Sequence, residues 1–161
     1  TFMEGFIRPG IGWENWVSRT NYPALNVVPL NEREMSVYAN QNYGQLTAHL
    51  RRYSLRTDGF ASVNASYAGG ELLTKPLRFT GKELVLNFAT SAAGGIRVEI
   101  QDAAGKAIPR YMLDESIEII GNEIERVVHW KSGSDVSPLA GQTVRLRLVM
   151  KDADLFAVWF R

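Results

Sequence analysis

Hydrolysis of a glycosidic bond needs two carboxyl groups roughly 5 to 10 Å apart across a cleft, one to protonate the leaving oxygen and one to attack or to activate water. Asp114, Glu115, Glu118, Glu123 and Glu125 supply carboxyls within one short stretch. Their spacing does not complete such a site. Glu123-Ile-Glu125 has Glu where a Glu-x-Asp-x-x-Glu strand array needs Asp, and position 128 is Val. The stretch reads as a solvated acidic edge paired with Arg126 or Lys131, and exposed pairs of this kind contribute little. No catalytic residue is assigned.

Other reactive types are as sparse. His49 and His129 are the two histidines, too far apart in sequence and without a third ligand nearby to suggest a metal centre or a triad. Asp152 and Asp154 sit in what reads as a polar hairpin turn, short of the roughly six to eight oxygens that calcium takes. Neither a metal nor a cofactor is expected. The aromatic residues offer more, because a Trp or Tyr ring can stack on the apolar face of a sugar while neighbouring polar groups bind its hydroxyls. Trp130, Trp159 and Tyr111 are the candidates for carbohydrate binding. Trp13, Trp16 and Tyr22 fall in irregular sequence and read as packing residues against a neighbouring domain.

Composition sets the frame for these residues. A chain of 161 residues can bury roughly 70% of its unfolded surface. With 18 basic and 17 acidic residues and no dense Lys/Arg block, the chain lacks the footprint of a nucleic-acid or anionic-membrane binder. No cysteine is present, which excludes thiol catalysis, disulfides and Cys-based zinc sites. No apolar run approaches the length of a membrane span. The chain opens on Thr1 and reads as a piece of a longer protein.

The elements that must position the candidates are strands. Residues 1–30 carry Pro9, Pro23 and Pro29 and read as ordered loop. Glu34 to Asn40 alternates as a strand, Asn42-Tyr-Gly44 turns the chain, and Leu46 to Arg56 returns with Leu46, Ala48 and Leu50 on one face. Asp58-Gly59 is a further turn signal. Short strands are expected at 60–67, 71–74, 84–89, 96–101, 124–130, 144–150 and 156–160, with turns at Ala92–Gly95 and Asp152–Asp154 between them. Asp135 or Ser137 is placed to cap a short turn ending at Ala140-Gly141. The resulting class is all-β: an antiparallel β-sandwich of jelly-roll or concanavalin-like form, preceded by a short hairpin and loop segment. The boundary falls between an appendage at 1–54 and the sandwich at 55–161.

From Arg51 to Phe160 the sequence resembles the C-terminal β-sandwich of bacterial proteins related to glycoside hydrolase families 32 and 43. The carrying stretches are Leu55-Arg-Thr-Asp-Gly-Phe60, Gly69-Gly-Glu-Leu-Leu-Thr-Lys-Pro76, Gly95-Ile-Arg-Val-Glu-Ile-Gln-Asp102, Gly121-Asn-Glu-Ile-Glu-Arg126 and Leu146-Arg-Leu-Val-Met-Lys-Asp-Ala-Asp-Leu-Phe156. The stretches Phe6-Ile-Arg-Pro-Gly10, Asn15 to Ala24 and Glu34 to Tyr38 resemble the closing blade of the five-bladed propeller in such proteins. The family's catalytic carboxylates belong to earlier blades and have no counterpart here. The resemblance implies a non-catalytic accessory module that packs on a propeller and can touch carbohydrate, and it inclines towards a secreted or periplasmic location. A purely structural or oligomerisation domain, with self-association in place of the propeller, is the alternative, and a self-sufficient glycoside hydrolase is the second.

Overall fold

The computed structural model describes residues 5–12 and 21–161, so Trp13 and Trp16 lie outside the described residues. The fold is all-β and antiparallel, and among the described residues no α-helix occurs. The chain divides into two compact units, Thr1–Phe60 and Ala61–Arg161.

The first unit is a small sheet built around β3 (Glu34–Gln41). On one side β3 pairs with two two-residue strands, β1 (Tyr22–Pro23) and β2 (Val28–Pro29), which lie within the segment expected to be loop. On the other side it pairs along its whole length with β4 (His49–Arg56). Leu55 and Arg56 are still opposite Met35 and Glu34. The division between the two compact units falls after the Asp58-Gly59 turn, at 60/61. Met35, Val37 and Ala39 on one face of β3 are buried, and so is Ser36 on the other. Residues 42–48 are turn, so Leu46 and Ala48 precede the strand, and Leu46, Ala48 and Leu50 are all exposed instead of forming a covered face.

The second unit is the sandwich. Its sheet runs β5 (Val63–Ala65), β9 (Val144–Phe160), β7 (Leu84–Asp102), β8 (Asn122–Val127), with β6 (Gly70–Leu73) also paired to β9. Two expected reversals are corrected here. Ala92–Gly95 and Asp152–Asp154 do not turn the chain back; they are bends inside β7 and β9, each of which continues past them. Thr90 pairs with Ala153 and Gly95 with Lys151, so residues 91–94 are accommodated opposite Asp152 alone. Asp152 takes a left-handed φ of 42° at this bulge. A Cβ on Gly94 would lie 2.5 Å from the carbonyl oxygens of both Lys151 and Asp152, so the two bent strands touch backbone to backbone where only glycine fits. Strands that bend at a bulge can pass from one layer of a sandwich to the other. Leu84, Leu86 and Phe88 before the bend join Ile96, Val98 and Ile100 after it, with Leu146, Leu148 and Leu155 of β9, in one core.

Candidate functional site

A recess of the second unit lies beside the bend in β7. Ahead of the bend β7 pairs with β8, whereas beyond it Ile96 pairs with Ile119. The chain from Glu115 to Lys131 therefore follows two different arms of β7. It is cinched at its neck by hydrogen bonds from Ile117 N–H to the His129 carbonyl and from Lys131 N–H to the Glu115 carbonyl, both 2.9 Å. Its tip is pinned by Thr90, whose N–H donates to the Gly121 carbonyl and whose hydroxyl accepts from Gly121 N–H. Between neck and tip a groove of about 610 Å³ opens. Ile117 and Ile119 form one wall, and Val127 and Trp130 add apolar lining. Glu123, Glu125, Arg126, His129 and Lys131 supply its polar groups.

Three of the acidic candidates, Glu118, Glu123 and Glu125, are held by cations. Arg126 donates to Glu123 at 3.1 Å, and Arg161 donates to Glu125 at 3.2 Å and to Glu83 at 3.0 Å. Glu118 is 3.7 Å from Arg97. Glu123 and Glu125 stand two residues apart on one strand, and the facing wall of the groove is isoleucine. They do not flank a substrate bond in the way glycoside hydrolysis requires. His129 is exposed, with Nδ1 3.0 Å from the Val127 carbonyl; His49 has the same arrangement with Thr47 at 2.9 Å. A carbonyl only accepts, so Nδ1 carries the hydrogen in each.

The aromatic candidates separate. Trp130 and Tyr111 are only 2% and 4% exposed. Their rings meet edge to face at 5.3 Å. Trp130 donates its indole N–H to the Val98 carbonyl at 2.9 Å, and Tyr111 its hydroxyl to the Asp135 carbonyl at 2.9 Å. Burial raises the Tyr111 phenol above its ordinary pKa. Neither ring offers a face on which a sugar could stack, which corrects their reading as a platform. Trp159 is half-buried opposite Val85 on β9, between the core-packed Val158 and Phe160, and so points to the other face of the sheet. Tyr22 is exposed and packs on Tyr43 with centroids 4.8 Å apart.

Asp154 anchors β5, accepting from the Ser62 hydroxyl at 2.7 Å and the Asn64 amide at 3.0 Å. Among the described residues no three His, Asp or Glu side chains gather to hold a metal. Asp135 accepts from Ser137 N–H at 2.9 Å ahead of the 3-10 turn Ser137–Leu139, and hydrogen bonding from Ser137 keeps its carboxyl below the ordinary range.

One polar constellation was not anticipated. Arg147 on β9 binds Glu71 on β6 with two hydrogen bonds, of 2.6 and 3.1 Å, and lies 3.5 Å from Glu99 on β7. Glu99 is buried and also accepts from Gln101 and from Leu113 N–H, which fastens the loop after β7 to the sheet. The signal for it was opposite charge on the polar positions of three strands, but which strands are neighbours is not written in the spacing. No protein-family model, no curated protein and no solved structure matches the chain.

Proposed function

We propose that the chain is a non-catalytic accessory β-sandwich module of a glycoside-hydrolase-like protein, with residues 1–60 serving to pack on a propeller domain and the sandwich having weak affinity for carbohydrate. The observation that carries the packing role is the apolar surface of the first unit. Ile11, Leu25, Tyr43, Leu46, Leu50 and Phe60 are exposed there, while the buried apolar residues among its described residues are few. Where exposed apolar residues gather into one patch, they mark association sites. The sugar role rests on the family resemblance and on Trp159. The burial of Trp130 and Tyr111 favours the second reading, a purely structural or oligomerisation domain.

Two measurements separate these readings. Sedimentation of the chain should show concentration-dependent association that Leu46→Ser with Leu50→Ser reduces; a chain that stays monomeric at high concentration would remove the packing role. Affinity electrophoresis through a panel of polysaccharides should show retardation that Trp159→Ala abolishes. Migration unchanged in every gel leaves the structural reading alone. Hydrolysis of aryl glycosides, lost on Glu123→Gln or Glu125→Gln, would move the protein to the hydrolase reading.

A further inference from the structure

The groove between Ile117–Ile119 and β8 differs in character from the acidic stretch that lines it. Both of its carboxylates are already engaged, Glu123 by Arg126 and Glu125 by Arg161. What remains uncommitted is cationic or hydrogen-bonding. The ammonium of Lys131 has no ion-pair partner among the described residues, and Nε2 of His129 is left over once Nδ1 donates to the Val127 carbonyl. These two groups stand two residues apart, next to an apolar lining of Ile117, Val127 and Trp130.

We propose that this groove is a binding site for a small organic carboxylate carried on a ring-shaped or apolar body. The body covers Ile117 and Val127, which removes apolar surface from water. The carboxylate takes a charge-assisted hydrogen bond from Lys131, and Nε2 of His129 makes a second hydrogen bond to the polar end of the ligand. The Glu123–Arg126 and Glu125–Arg161 pairs hold the two carboxylates that line the groove against guanidinium groups, which lowers their repulsion of an incoming anion. The site is a consequence of the fold: the neck fixes His129 and Lys131 through their backbones, and the bend in β7 keeps the walls apart. It does not depend on the packing role of the first unit. A sugar acid and an aromatic or aliphatic acid share the chemistry, and the test distinguishes them.

Titration of the isotope-labelled full chain, followed by NMR, uses D-glucuronate, phenylacetate and neutral D-glucose as probes. At least one carboxylate should move the amide signals of residues 127–131 and the His129 ring signals in a saturable way, while glucose does not. Response to glucuronate alone assigns an acidic sugar; response to phenylacetate, with or without glucuronate, assigns an apolar acid. Lys131→Gln and His129→Gln should each weaken binding roughly fivefold, and Glu123→Gln should not weaken it. All three positions are at the surface, and an unchanged spectrum elsewhere verifies the fold. No response to either carboxylate, an equal response to glucose, or unchanged affinity in Lys131→Gln overturns the proposal.

Discussion

Trp130 and Tyr111 illustrate what a residue's identity leaves undetermined. Each carries a flat apolar ring with one polar handle, a combination that serves a sugar site or a core equally well, provided the handle finds a partner. Here both handles find backbone carbonyls inside the molecule. The sequence held the clue for one of them. Val128, His129 and Trp130 alternate, and the structure buries the first and third while exposing the second. No such pattern surrounds Tyr111, whose neighbours Arg110 and Met112 lie in irregular chain. Trp130→Phe keeps most of the ring volume but leaves the Val98 carbonyl without its donor, and should cost about 2 kcal/mol in urea unfolding. Tyr111→Phe should cost about 1 kcal/mol by the same measurement. Glu71 gives a prediction with a pH sign. Its hydrogen bonds from Arg147 hold its carboxyl below the ordinary 4.5, against an opposing cost of desolvation. A depressed carboxyl contributes stability that is present above the unfolded value and lost as pH falls through the folded one. Glu71→Gln should therefore lower the urea midpoint at pH 7 and lower it less at pH 3; an equal drop at both would show that the ion pair is not its source.

The long strands were legible as strands, and their alternation picked out Leu84, Leu86, Phe88, Ile96, Val98 and Ile100 of the core, but Val85, Asn87, Glu99 and Gln101 at the alternate positions are buried as well. Their continuity was not legible. Ala92-Ala-Gly-Gly95 and Asp152-Ala-Asp154 have the glycine and aspartate content of reversals because a bend and a reversal make the same demand on φ and on close backbone approach. Pairing decides between them, and both bends occur together because β7 and β9 are hydrogen-bonded along their length. The groove was hidden for the same reason, since it exists only because β8 and Ile119 follow different arms of the bend. Gly94→Ala should therefore be severe. Its Cβ would press on two carbonyl oxygens at 2.5 Å, where relief requires backbone movement in β9, and a loss of about 3 kcal/mol or more is expected in chemical denaturation. Gly70→Ala in β6 is the control. Its Cβ would meet Ala65 at an ordinary 3.7 Å, and the change should stay within about 0.5 kcal/mol. Comparable losses at the two sites would mean that the bend does not depend on close approach.

At the scale of the whole molecule the two units are unequal in how they hold themselves together. Every residue of the main core, from Ala65 to Leu155, belongs to the second unit, as do Val158 and Phe160 packed against it. Among its described residues the first unit has a central strand with a buried face, two strands of two residues each, and the edge strand β4, whose exposed positions include Leu50, Arg51 and Arg52. Exposed arginine on an edge discourages unplanned pairing, yet it adds no core. A unit of about a hundred residues buries roughly 65% of its unfolded surface, enough for independent stability, whereas a sixty-residue unit is marginal even with a full core. Residues 61–161 expressed alone should therefore give a dispersed NMR spectrum and one cooperative urea transition, and residues 1–60 alone should give neither. If the second fragment also proved unfolded, the sandwich would have to draw its stability from outside its own core. If residues 1–60 folded alone, their exposed leucines would no longer mark a unit that needs a partner.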